Sequence, residues 1–136
     1  MSAFAAPFLQ QAVFDRLQNS THVMNRVSDV YDEATENAVS PFVTFGDTRH
    51  QPYDTGTTEG AIIHFDILVW SNTPHQMEAK EVMALIDDEL HLMNITVTDY
   101  TLVRLVLASA DVTKQQREGS VYARGRMTYK CVLFKN

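Results

Sequence analysis

The stretch Ala61–Trp70, AIIHFDILVW, sets Ile63, Phe65, Ile67 and Val69 on one side and His64 and Asp66 on the other. A period of two marks a strand with one buried face and one exposed face. The residues that follow, Ser71-Asn-Thr-Pro-His-Gln, carry a helix start. Thr73 is placed to cap the amide of Gln76, Gln76 to reach back to Thr73, and Pro74 to occupy the first helical position. The helix this predicts runs from Pro74 to about Met93, with Asn94 as its end. It buries Ala79, Val82, Met83, Ile86, Leu90 and Met93 and leaves Lys80, Asp87 and Asp88 in water.

Toward the N-terminus, Phe42–Gly46 reads as a strand with Val43 and Phe45 on one face. Thr48–Gly60 has Pro52, Gly56, Gly60 and few apolar residues, so a loop longer than a simple hairpin turn is expected there. Val27–Tyr31 reads as a short extended piece, Asp32–Ser40 as a polar connection punctuated by Pro41. Pro7–Gln18 has Leu9, Val13 and Leu17 at helical spacing with Pro7 in the first turn. Toward the C-terminus, Leu102–Ala108 places Val103, Leu105 and Leu107 opposite Arg104. In Val121–Phe134, the residues Val121, Ala123, Met127, Tyr129, Cys131 and Leu133 share a face opposite Arg124, Arg126, Thr128 and Lys130. Asp111–Gly119 between them is polar and ends in Gly, which predicts a protruding hairpin. The order helix, two strands, helix, two strands points to an α+β fold: a four-stranded, mainly antiparallel sheet with two helices packed on one face, as a single domain over 1–136.

Composition narrows the function. The chain has 136 residues, 45% hydrophobic and 21% charged, with a net charge of −6. That balance suits a folded globular domain and argues against a bulk binder of nucleic acid or anionic membrane, which relies on excess Lys and Arg. The single cysteine, Cys131, excludes an intrachain disulfide and a multi-cysteine zinc site. Val82–Ile86 is the longest apolar run, too short to span a bilayer, and the N-terminus lacks a basic segment followed by an apolar core. A soluble, non-secreted protein is expected.

No motif carries chemistry. His64 with Asp66, and His50 with Asp54, are pairs rather than the three or four converging ligands a zinc or iron site needs, so no metal is expected. There is no GxSxG nucleophile turn, no GxGxxG and no phosphate-cradling GxxxxGK[ST]. Cys131 falls on the apolar side of its strand, where a thiol is inert packing. Asp87-Asp88-Glu89 reads as the solvated face of a helix. No catalytic residue and no cofactor are assigned. The one concentrated feature is basic: Arg104, Arg124, Arg126 and Lys130. It fits either a plain solvated sheet surface or a contact with an acidic partner such as another copy, whose helix acids Asp87, Asp88 and Glu89 would supply the opposite charge.

Read end to end, the chain resembles the tail-terminator, or tail-completion, proteins of long-tailed bacteriophages and gene transfer agents. The resemblance rests on Val30-Tyr31-Asp32, on Pro-Phe-Val-x-Phe-Gly-Asp from Pro41 to Asp47, and on Val69-Trp70-Ser71. It continues with Glu78-Ala79 opening a helix that runs to Ile86 and Leu90, and with Arg-Gly-Arg-x-x-Tyr from Arg124 to Tyr129. It covers nearly the whole chain through order and spacing.

The resemblance implies a structural assembly protein and not an enzyme. Such proteins form a homohexameric ring that caps the head-proximal end of the tail tube, halts its polymerisation and offers a surface to the head–tail connector, or stopper, protein. DNA passes through the lumen only in transit, and no membrane is involved. The implied location is the tail–head junction of a phage-like particle assembled in the bacterial cytoplasm. On this reading Arg104, Arg124, Arg126, Asp87 and Asp88 are the expected contacts between copies. Arg49, His50, Tyr53 and Asp54 are the expected contacts with tube or connector. From the residues alone, a small ligand-binding or enzymatic α+β domain and a monomeric adaptor stand as alternatives.

Overall fold

A computed structural model of the chain describes residues 4–33, 38–73, 75–117 and 119–136. The elements run α1 (Ala6–Gln18), α2 (Thr21–Met24), β1 (Val30–Tyr31), β2 (Phe42–Pro52), β3 (Gly60–Ser71), α3 (Met77–Leu90), β4 (Tyr100–Arg117) and β5 (Ser120–Lys135). The strands form one five-stranded sheet in the order β1-β2-β3-β5-β4, antiparallel except for the parallel β1–β2 pair. The expected α+β class holds, with one more strand and one more helix than the four and two read from periodicity. Two-residue β1 and four-residue α2 are too short for a period to show.

The alternation of Ala61–Trp70 translates directly into packing. Ile63, Ile67 and Val69 are fully buried and Phe65 nearly so, while His64 and Asp66 stay half-exposed. The same face of β5 buries Ala123, Met127, Tyr129, Cys131 and Leu133, and Val13, Leu17, Val82, Ile86 and Leu90 from the helices close over it. Gly125 keeps β5 flat beneath α3: a Cβ there would collide with the Met83 side chain.

Several expectations change. Thr48–Pro52 is strand, paired with Ala61–Phe65 beyond a bulge between Phe45 and Thr48, so the connection shrinks to residues 53–59. Its residues are polar because this end of β2 is exposed, and backbone pairing carries it without an apolar stripe. The predicted capping of α3 fails: Gln76 is the N-cap without a side-chain bond, and Thr73 Oγ1 donates instead to the His75 carbonyl at 3.0 Å. The part resting on Pro74 lies outside the described residues. Ser71 Oγ donates to Glu78 Oε1 at 2.6 Å and ties the end of β3 to the first turn of α3. The helix ends at Leu90, before Met93. His91 turns to an extended backbone and Leu92 sits in the left-handed region at φ 60°, which leaves Met93 exposed.

On β4, a bulge between Leu102 and Arg104 breaks the alternation, so Val103 is 58% exposed while Leu105 is fully buried. β4 also runs well past Ala108: Asp111–Arg117 is ladder paired with Ser120–Arg126, the two arms of the expected protruding hairpin, and Gly119 sits at φ 81°. Val121, near the tip, is 40% exposed rather than packed.

Candidate functional site

With helices covering one face, the sheet's other face is left open for recognition. Register assigns its side chains. Arg49 lies beside His64 and His64 beside Lys130, one row across β2, β3 and β5. Asp66 pairs with Thr128, whose hydroxyl donates to Asp66 Oδ1 at 2.6 Å. Leu68, Arg126 and Asp111 form the next row, then Trp70, Arg124 and Thr113. Like charges in directly opposed positions repel. His64 registers this: partial burial first, then Arg49 and Lys130, hold its pKa below the ordinary imidazole value.

The arginines expected at an interface share this face but differ in state. Arg126 forms an ion pair with Asp111 at 3.2 Å, with both side chains more than two-fifths exposed, a geometry worth little in water. Arg124 is half-buried, and its Nε is shielded from solvent without a hydrogen-bond partner among the described residues. Arg104 is exposed on β4, opposite Val132.

The helix acids sit on the opposite side of the molecule. Asp87, expected in water, is half-buried and accepts a 2.9 Å hydrogen bond from the Tyr129 hydroxyl. Burial and this bond push the tyrosine pKa far up. Asp88 alone of the pair is exposed. Glu89 meets Arg16 at 3.2 Å. Basic sheet face and acidic helix face are thus back to back, and no single copy joins them.

The set Arg49, His50, Tyr53 and Asp54 does not form one cluster. Arg49 is on the open sheet face, whereas His50 packs against Phe4 in a tilted arrangement with ring centroids 4.8 Å apart. Tyr53 packs against Phe134 at 5.9 Å, and Asp54 Oδ1 accepts from the Gly60 amide at 3.1 Å, which closes the β2–β3 turn. Cys131 is fully buried, and burial pushes its thiol up to about 12, so it is packing and not a nucleophile. Among the described residues no three His, Cys, Asp or Glu side chains come together to hold a metal ion.

One feature of this face escaped sequence reading. Tyr31, Phe42, Trp70 and Tyr122 form a continuous aromatic row across β1, β2, β3 and β5, with successive centroid separations of 6.1, 6.2 and 5.8 Å. The Trp70 indole N–H is satisfied by Thr44 Oγ1 at 2.9 Å. Phe42, Trp70 and Tyr122 of this row line an open groove of about 900 Å³, which Asp32 and Glu33 also line. The available signal was the position of Phe42 and Trp70 on the polar parity of their strands. Only register, however, brings four aromatics from distant parts of the chain into line.

Comparison with known proteins adds to this geometry. A family model described as tail completion protein gp17 matches residues 11–133. The tail completion protein gp17 of Bacillus phage SPP1 is 27% identical over 106 residues, covering 76% of this chain and 78% of that protein. A chain in the structure of the virion of a native gene transfer agent particle superposes with a TM-score of 0.86 at 21% identity, covering 98% of this chain and 99% of that one. The structure of bacteriophage SPP1 gp17 superposes with a TM-score of 0.62 at 21% identity, covering 95% and 91%.

Proposed function

The chain belongs to the tail completion protein gp17 family, and from that premise we propose that it works as a closed ring of copies, six in number, on the head-proximal end of a phage-like tail tube. The ring stops tube growth and joins the tube to the head's connector, with DNA passing through its lumen. The observation that carries this reading is the family match over residues 11–133, nearly the full length of the fold. The action needs no chemical step, because binding free energy alone halts subunit addition once the tube's docking surface is covered. The protein is then a structural component and not an enzyme, and one domain over residues 1–136 does the work.

A ring joins one surface of each copy to a different surface of the next. The back-to-back charge distribution gives each copy two different surfaces: Arg104, Arg124 and Arg126 on the sheet face, and Asp88, with Asp87 where its bond to Tyr129 leaves an oxygen accessible, on the helix face. Tyr53 and Asp54 at the β2–β3 turn, with Arg49 on the strand leading to it, reach toward tube or connector. Electron microscopy of particles made without this protein tests the function. Tubes that overrun their normal length or stay headless, beside heads filled with DNA, are expected; normal tails joined to heads overturn it.

A further inference from the structure

β4 is an edge strand, and its two halves are treated differently. Toward its start, the segment after α3 covers the edge: the Leu92 amide donates to the Leu105 carbonyl at 2.7 Å, and the Leu107 amide donates to His91 Nδ1 at 3.1 Å. Leu105 and Leu107 therefore turn their backbone groups away from β5. Beyond the bulge between Leu107 and Ser109 that parity inverts.

The tip of the hairpin gives the same answer independently. Arg117 and Ser120 flank a two-residue turn, and in such hairpins the flanking pair exchanges hydrogen bonds. Counting back by alternation, Gln115, Thr113 and Asp111 also point their amides at β5. Gln116, Lys114, Val112 and Ala110 point theirs outward. Among the described residues no acceptor outside the β4–β5 ladder bonds these four amides. No proline and no bulge interrupts Ala110–Arg117. Soluble proteins blunt such edges, because a long regular row of unpaired amides and carbonyls is a template for another strand.

We propose that the Ala110–Arg117 edge of β4 is a strand-addition site whose occupant is β2 of a neighbouring copy, so that the sheet continues from one subunit into the next. This rests on the ring reading above and names the contact that closes it. Topology favours the same chain as occupant. The steps from β2 to β3 to β5 to β4 are all antiparallel, so β2 and β4 run in opposite directions. A neighbour brought in by rotation alone, with its sheet continuing this one, therefore presents β2 antiparallel to β4 without being inverted. β1 pairs with only Val43 and Thr44 of β2, which runs on as the margin of the sheet to Pro52. Charge agrees: Asp111 on the β4 side and Arg49 on the β2 side are both exposed on the open face. Backbone hydrogen bonds would supply the affinity and these side chains the direction.

Amide-resolved hydrogen exchange on the full-length protein, dilute and at concentrations where it assembles, tests this. Ala110, Val112, Lys114 and Gln116 should exchange fast in the monomer and slow at least tenfold on assembly. Asp111, Thr113 and Gln115 should be protected in both. Lys114→Pro, which removes an outward donor at an edge position proline tolerates, should leave the monomer's circular dichroism unchanged and weaken assembly at least tenfold. An oligomer whose four edge amides stay fast overturns this contact while the ring stands. Protection that appears only on adding another protein, such as tube subunits, overturns the second copy as occupant. A chain that stays monomeric at every concentration overturns both.

Discussion

Replacing Cys131 by Val should flatten the alkaline pH dependence of stability by an amount the structure sets. The thiol is fully buried on β5 between the sheet and the helices, and its pKa is pushed from the ordinary 9.0 up to about 12 by burial alone. The folded-state value is raised, so the contribution is fully present below pH 9. It is lost as pH climbs toward 12, because the unfolded chain releases the proton first and unfolding is drawn forward. Integrated to pH 10.5, one and a half units above the unfolded value, the loss is about 2 kcal/mol at about 1.4 kcal/mol per unit. Tyr129, also raised, adds to the fall above pH 10 but is common to both proteins, as are the lysines. Urea unfolding under reducing conditions at pH 8 and pH 10.5 measures the difference. The parent should lose about 2 kcal/mol more than Cys131→Val between the two. Pre-existing packing changes cancel, since each protein is compared with itself. Equal losses would mean that Cys131 titrates as freely folded as unfolded, and the register that buries the Tyr129 face of β5 would be wrong.

Five further expectations follow. Replacing Arg124 and Arg126 together by Glu should leave circular dichroism unchanged and reduce assembly by native mass spectrometry; an unchanged oligomer removes both from the contact between copies. His64, with its folded pKa lowered, binds its proton later than in the unfolded chain, so stability falls as pH drops below about 6.5. His64→Gln should lessen that fall in urea titrations at pH 5 and pH 7. Gly60→Ala should cost toward the upper end of about 1–3 kcal/mol, since its Cβ meets the Tyr53 carbonyl and lies 2.8 Å from Phe134 ring carbons. At Gly119 nothing lies within 4 Å, so Ala there should cost only the left-handed backbone strain, about 1 kcal/mol, by thermal or urea unfolding. Tyr129→Phe, which deletes the bond to half-buried Asp87, should cost about 1 kcal/mol by the same assay and remove the tyrosine's share of the alkaline loss.

Local periodicity was enough to place α1, β3, most of α3 and β5 and to name their buried residues, because side-chain alternation in those segments answers to a single apolar layer. The family was legible too, through the order of short segments such as Pro41–Asp47 and Val69–Ser71. What escaped were the features held by partners distant in sequence. Thr48–Pro52 looks like a loop because nothing in it is apolar; it is strand because β3 offers it backbone groups. Bulges at Phe45–Thr48 and Leu102–Arg104 shift the alternation by a residue, which no period of two anticipates. The candidate site follows the same division. Its basic residues were visible as residue types, but their separation from Asp87 and Asp88 by the thickness of the domain belongs to the tertiary structure, as do the Arg49–His64–Lys130 row and the alignment of Tyr31, Phe42, Trp70 and Tyr122. A strand dictates which way its own side chains point, whereas the neighbour each one meets is set by pairing register across the sheet.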